Sequence, residues 1–335
     1  MTTPLQETVR PTRVEIRDFE PKDYPAIVEI ENLAYPEHPT TVEERRFEDE
    51  TFDRKRYVWR RYVAVEPSTN TVVGEADYNH LPWAYDPARF GIWFSVHPQW
   101  RRRGIGSRLY EKVLADLRTH GATQLRTWTQ ETQSDANEWL RRRGYGELHR
   151  AWESRLDLQA FDMGPFRGHW NLPADIKIVT LAEELARDPE CLKELYEMDC
   201  ELAVDVPRVD PFTRGPFETW REWAINSPRS LPDAFFIAKA GDRYVGQSDL
   251  GRSEQLSDVL YTGFTGVRRE YRGRGIAMAL KLRAVDYAKS HGCREIRTWN
   301  STLNAPMLGI NVKLGFVKQP VWITFGKDLT HEDRS

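Results

Sequence analysis

Two segments of this chain have the residue types and spacing to grip an anion. They are Val96-His-Pro-Gln-Trp-Arg-Arg-Arg-Gly-Ile-Gly106 and Val267-Arg-Arg-Glu-Tyr-Arg-Gly-Arg-Gly-Ile-Ala277. In each, an apolar run enters an Arg/Gly loop and a long amphipathic stretch follows. A helix starting at such a loop leaves its first backbone N–H groups unpaired and carries a partial positive charge. Glycine or alanine at Gly104, Gly106, Gly275 and Ala277 lets a diphosphate approach that backbone. Arginines flanking the loop add charge-assisted contacts. A Walker loop is excluded because neither segment contains Gly-x4-Gly-Lys-Ser/Thr, and a Rossmann loop because Leu109 and Leu280 stand where its third glycine belongs.

The elements that must position these loops recur with a fixed spacing. Gly104 and Gly275 are 171 positions apart, as are Gly144 and Gly315. Laying 96–145 on 267–316 without a gap gives 12 identities in 50 positions, including Arg101/Arg272, Arg103/Arg274 and Arg126-Thr-Trp128/Arg297-Thr-Trp299. A repeat of this length is a whole domain. Hydrophobic periodicity predicts, in the first half, strands at 14–17, 62–65, 72–78, 92–96 and 124–129. Helices are predicted from Pro21 through Leu33, at 42–52, at 105–120 and at 135–142, with Gly144 as the final cap. The second half repeats the order: strands at 176–180, 235–239, 244–250, 260–267, 295–300 and 321–325, and helices near 189–203, 217–226, 276–291 and 304–313. The fold class expected is α/β with a mixed sheet and helices on both faces. The domains expected are 1–158 and 175–335, joined by a Pro- and Gly-containing linker at 159–174.

A length of 335 residues agrees with two domains. A net charge of −3 argues against a general nucleic-acid binder. No apolar run approaches the roughly 20 residues of a membrane span, and residues 1–13 lack the apolar core of a signal peptide. Cys191, Cys200 and Cys293 have no metal-ligand spacing. The expectation is a cytoplasmic protein with reduced thiols, no metal, no nucleic-acid partner and no membrane partner.

Arg-x-x-Gly-x-Gly/Ala after an apolar strand, then a helix, a further strand and an Asn-bearing helix ending in Gly-Phe, resembles the Gcn5-related N-acetyltransferase (GNAT) family. The resemblance covers essentially the whole chain as two tandem copies. It implies that each copy is a splayed mixed sheet holding acetyl-CoA. The pyrophosphate would lie at Arg101, Arg102, Arg103, Gly104, Gly106 and Ser107 in one copy, and at Arg272, Gly273, Arg274, Gly275, Ala277 and Met278 in the other. The pantetheine arm would run along Phe94–Val96 and Thr265–Val267. In the family the Asn304 slot often bonds pantetheine, and the slot four residues before Gly-Phe often holds a proton-donating tyrosine. Here that slot is Leu140 in the first copy and Asn311 in the second. Asparagine can donate a hydrogen bond but cannot act as a general acid. Thr129 and Gln133 replace Asn300 and Asn304 in the first copy. Both copies are therefore expected to bind CoA, with the second favoured for catalysis.

The reaction expected is acetyl transfer to a primary amine of a small molecule. It needs a base for the amine, directly or through water, and a backbone N–H of the cofactor strand to polarise the carbonyl. Candidate bases are Glu75 and Asp77, with His80 beyond them, in the first copy, and Asp249 or Asp258 in the second. Asp205 is a candidate for holding the amine. Aromatic residues offered to an acceptor site are Tyr35, His38, Trp83, Tyr85, Trp93, Tyr196, Trp220 and Trp223. The competing readings are a protein N-terminal or lysine acetyltransferase and a non-catalytic acyl-CoA-binding protein.

Overall fold

Alternation on the strands decides which helix covers which face. In the computed structural model, which describes residues 14–170 and 172–329, the first half contains β1 (Glu15–Asp18), α1 (Tyr24–Ala34), α2 (Val42–Thr51), β2 (Trp59–Glu66), β3 (Thr71–Asn79), β4 (Arg89–Val96), α3 (Ile105–Thr119), β5 (Gln124–Gln130), α4 (Ser134–Arg142) and β6 (Gly146–Asp157). The second contains β7 (Ile176–Thr180), α5 (Leu181–Arg187), α6 (Cys191–Ala203), α7 (Phe217–Arg221), β8 (Phe235–Ala240), β9 (Arg243–Arg252), β10 (Val259–Val267), α8 (Ile276–Ser290), β11 (Glu295–Ser301), α9 (Ala305–Lys313) and β12 (Val317–Asp328). Val63 and Val65 of β2 pack with Ile27 and Ile30 of α1, while Tyr62 and Ala64 face Leu109 and Val113 of α3. The second half repeats this, with Phe235 and Ile237 toward α6 and Phe236 and Ala238 toward α8.

One sheet runs through both halves, in the order β1-β2-β3-β4-β5-β12-β6-β11-β10-β9-β8-β7. The last strand of each half has crossed over: β12 pairs with β5, and β6 pairs with β11. Strands β4 and β5 are parallel only over Arg89–Gly91 and Gln124–Arg126, and β10 and β11 only over Val259–Tyr261 and Glu295–Arg297. Beyond those residues each pair diverges and opens a wedge, with α3 or α8 beginning at its mouth.

The mixed sheet with helices on both faces is the one expected, and most element ends fall within a few residues of the sequence reading. Two elements escape it, β6 and α5. Strand β6 is studded with charge (Glu147, Arg150, Glu153, Arg155), because it lies inside the sheet where side chains from elsewhere neutralise it. Glu153 meets His38 at 2.9 Å, and Arg155 meets Glu37 at 2.9 Å. The expected helix 217–226 is α7 followed by a wider π turn over Glu222–Asn226. The segment expected to be a linker packs on the second half: Phe161, Met163, Phe166 and Trp170 lie against its core, and the Arg283 guanidinium lies 4.2 Å from the Trp170 ring. Among the described residues no helix is long and apolar enough to cross a membrane.

Candidate active site

The two Arg/Gly loops have the same backbone plan. Gly104 has φ +80° and Gly275 +81°, each in the left-handed region and each capping its helix with no side chain. A Cβ at either position would meet nothing within 4 Å, so the space before the helix N–H groups is open. Arg101 Nε donates to Val96 O (3.0 Å) and Arg272 Nε to Val267 O (2.9 Å), which ties each loop to the end of its strand. The loops differ two residues before the capping glycine. Gly273 has φ +75°, whereas Arg102 is forced to +63°, a region that costs a side-chain-bearing residue energy. Arg103 donates to Gln99 O, and Arg274 to the Asp175 carboxylate at 2.6 Å. Asp205 is held by Arg269 and Arg272, which keep its carboxyl far below the usual range, so its charge is already paired with the second Arg/Gly loop.

The strands entering the loops differ more. Strands β3 and β4 pair without interruption from Gly74↔Val96 to Asn79↔Gly91. The register between β9 and β10 slips between Thr262 and Thr265, which is a β-bulge. At this bulge the Phe264 N–H donates to Asp249 Oδ1 at 2.7 Å. A Cβ on Gly263 would lie 1.9 Å from Asp249 Oδ2, so the carboxylate fits only because that residue is glycine. Burial pushes the Asp249 carboxyl up to about 6, the Asp199 charge adds to the rise, and the Phe264 N–H and Lys281 oppose it. Asp199 stands on α6, where Gln247 Nε2 donates to its Oδ1 at 2.6 Å, and burial raises its carboxyl too. Gln247 Oε1 is buried with no partner.

The opposite side of this wedge is lined from α8 and α9. Lys281 is 3% exposed, with its ammonium 5.3 Å from the Phe316 ring. Asn311 is buried and donates to Asn300 Oδ1 at 2.5 Å, while its own Oδ1 has no partner. Asn304 Oδ1 accepts from the Met307 N–H at 3.3 Å, the bond of a helix N-cap. Thr265 Oγ1 pairs with Ser248 Oγ at 2.8 Å, and Val267 and Met278 are buried behind the loop. Open left-handed glycines at the mouth and unpartnered polar atoms inside fit a CoA thioester: backbone N–H groups for phosphate, donors and acceptors for the arm.

The first wedge is filled instead. Trp139 lies 4.8 Å from Phe94 and 5.2 Å from Tyr110, and the Tyr110 and Tyr145 hydroxyls are 3.3 Å apart. Arg143 stacks 3.6 Å over Trp139 and donates to Ser107 Oγ at 2.7 Å. Gln133 donates to Ala34 O at 3.0 Å, and Thr129 bonds Asn137. Glu75 and Asp77 are buried 3.8 and 3.5 Å from Arg61 Nε, and Arg61 also holds Asp49 at 2.6 Å. Burial drives the Glu75 carboxyl well up and that of Asp77 up to about 6. His80 accepts from the Val58 N–H and stacks on Phe90 at 4.2 Å. Asp258 is tied to Arg294 at 2.6 Å.

The structure thus gathers Asp249, Asn300, Asn311, Thr265 and the 272–278 loop around one wedge, and leaves Glu75 in a separate charge network. Sequence reasoning missed Asp199, Gln247 and Lys281. Two of them carried a signal. Asp199 interrupts the apolar stripe Leu192, Leu195, Leu202 of α6, and Lys281 interrupts the stripe continued by Ala284, Val285 and Ala288 of α8.

Comparison with known proteins agrees. The acetyltransferase (GNAT) family model matches residues 24–145 and 190–316. A mycothiol acetyltransferase of Acidothermus cellulolyticus is 27% identical over 263 residues, 72% of this chain and 72% of that protein. One from Thermobifida fusca is 23% identical over 241 residues, 66% and 69% of the two chains. A solved tandem GNAT protein from the clavulanic acid biosynthesis pathway shares the fold with a TM-score of 0.72 at 18% identity, over 94% of this chain and 98% of that one. Two loops of one backbone plan, two wedges and two family matches have one reading: the chain is an acyltransferase and belongs to the acetyltransferase (GNAT) family, as two tandem copies of its fold.

Proposed function

We propose that this enzyme moves an acetyl group from acetyl-CoA to a primary amine of a small molecule, and that the second copy carries the reaction. The observation that supports this most is the β10 bulge with Asp249 seated against it, in a wedge lined by Thr265, Lys281 and Asn311. The first copy has an unbroken β4 and an aromatic plug. Bound at α8, acetyl-CoA would supply an acyl group activated as a thioester.

Around it, the N–H groups that open α8, with Arg272, Gly273, Arg274, Gly275, Ala277 and Met278, would hold the pyrophosphate. Thr265 and Val267 would border the arm, with Asn300 orienting Asn311 toward it and Asn304 fixing the start of α9. Asp199, Asp249 and Gln247 Oε1 offer only acceptors, the complement of an ammonium group. Asp249 would take the proton that makes the amine nucleophilic. With its pKa near 6 it is ionised at neutral pH yet more basic than an ordinary carboxylate. Helices α6 and α7 cover the acceptor side, and α2 of the first half closes on it through Phe47 against Trp223 (5.2 Å) and Glu44 against Arg229 (3.0 Å). That enclosure suits a small molecule better than an extended peptide, as do relatives named for mycothiol.

The test is thiol release across a panel of amines for Gly275→Asp and Gly104→Asp. Aspartate tolerates the left-handed conformation and finds open space at both sites, but sets a negative charge where phosphate must lie. Gly275→Asp should abolish turnover, and Gly104→Asp should keep most of it. The reverse pattern would assign the chemistry to the first copy. CoA binding with no turnover on any amine would leave an acyl-CoA-binding protein.

A further inference from the structure

We infer that Lys281 gives the departing CoA thiolate its proton, filling the role left open by the missing tyrosine. This rests on the second copy being the catalytic one. Phe94, Tyr110, Trp139 and Tyr145 correspond to Thr265, Lys281, Ile310 and Phe316 at the constant spacing of 171. Four aromatic side chains plug the first wedge, whereas the second has a small hydroxyl, an aliphatic side chain, one phenyl ring and a lysine.

The lysine is an odd choice for packing. It is 3% exposed, its ammonium rests over the Phe316 ring, and it has no hydrogen-bond acceptor among the described residues. A largely buried ammonium with no acceptor is costly, and an anion bound beside it would offset that cost. Position says which anion. Lys281 lies five residues past the start of α8, about 7 Å along the helix. Because α8 connects the parallel strands β10 and β11, it runs back along β10, and 7 Å is about two strand residues. That brings Lys281 from the pyrophosphate level at Val267 to the level of Thr265 and the bulge, beside the reacting end of the cofactor.

The step balances. The amine nitrogen forms the C–N bond, the C–S electron pair goes to sulfur, and sulfur takes a proton from the Lys281 ammonium. Nitrogen gives up two protons: Asp249 takes one and returns it, through water, to the neutral lysine, and the other goes to solvent. The overall change converts ammonium and thioester to amide and thiol, with one proton released to solvent. Burial lowers Lys281 to about 8 and the Asp249 charge opposes that fall. Asp249 on β9 is the charged group that faces it, with Thr265 of β10, Ile310 of α9 and Phe316 supplying none. A donor near 8 is a stronger acid than an alkyl thiol, so proton transfer to the departing thiolate is favourable.

The experiment uses the full chain with CoA and with desulfo-CoA, which lacks the sulfur. In the wild type, ultraviolet thiolate absorbance should show the bound thiol titrating about one unit or more below free CoA. Lys281→Met should abolish that shift and leave desulfo-CoA affinity unchanged. Lys281→Arg should keep the shift, since its charge remains, but slow acetyl transfer about 100-fold, since it does not give up its proton. An unmoved thiol titration in Lys281→Met, or equal loss of CoA and desulfo-CoA binding, overturns the assignment. If Gly275→Asp leaves CoA binding intact, the second-copy reading itself is what fails.

Discussion

Replacing Asp249 by asparagine should destroy activity and stabilise the protein, a combination that few structural residues can produce. The carboxyl titrates near 6 in the folded chain against an ordinary 3.8, a rise of about two units. At about 1.4 kcal/mol per unit, folding the ionised carboxylate costs about 3 kcal/mol. The sign follows from the direction of the shift. A carboxyl raised on folding contributes its full stability below about pH 4 and loses it as pH climbs through 6. Asparagine keeps an acceptor for the Phe264 N–H and carries no charge. At pH 7 the variant should therefore gain up to about 3 kcal/mol. With roughly 2.1 cal/mol/K of unfolding entropy per residue, 335 residues convert this to about 4 °C in Tm. The gain should fade between pH 6 and 4 and be absent below. Thiol release should fall about 10²- to 10⁴-fold, the range for a lost general base. Calorimetry from pH 4 to 8 and a thiol assay decide the matter. A fall in Tm at pH 7 would show that Asp249 clamps the bulge, and activity within threefold of wild type would mean that another group takes the proton.

Two further outcomes follow from the packing. Trp139→Ala should cost about 2–4 kcal/mol in denaturant unfolding by emptying the first wedge, while acetyl transfer at saturating acetyl-CoA stays near wild type. Residues 1–158 and 159–335 produced separately should not fold, because each lacks a strand that flanks its own β5 or β11; production of both together should restore cooperative unfolding and thiol release, and independent folding of either piece would contradict the strand exchange.

The glycine-capped starts of α3 and α8 were legible because their demands are local. A left-handed residue before a helix wants glycine, and an anion site wants unpaired N–H groups, so Gly104 and Gly275 declare themselves. What stayed hidden depends on distant partners. Strand β6 looks too charged for the middle of a sheet until His38 and Glu37 arrive to neutralise it. Asp199 and Lys281 interrupt the apolar stripes of α6 and α8, but what they face is set only when the helices are docked. The bulge escaped for a different reason: the ungapped alignment starts at Val96, just past it. Tyr261 pairs with Arg297 as Gly91 pairs with Arg126, a spacing of 170 on one strand and 171 on the other. One extra residue in β10 is the whole difference, and an aligned run beginning a few residues earlier would have shown the slip.

If chemistry belongs to the second copy, the first still has a necessary part, and the sheet shows what it is. Strand β6 comes from the first half and lies between β12 and β11. Its Trp152 stands directly opposite Asn300, the residue that orients Asn311 inside the working wedge. The loop after α1 reaches the same region: the Glu37 carbonyl accepts from Arg297, and Glu44 on α2 holds Arg229. The contact is returned by the second half, whose Asp210 binds Arg126 at 2.8 Å and Arg89 at 3.2 Å beside the first wedge. None of these contacts uses the first Arg/Gly loop. An aromatic plug and a strained Arg102 can stand there without weakening the exchange of strands that keeps β11 in place. The duplicated domain therefore serves the second active site as half of its sheet, and its own wedge is free to become core.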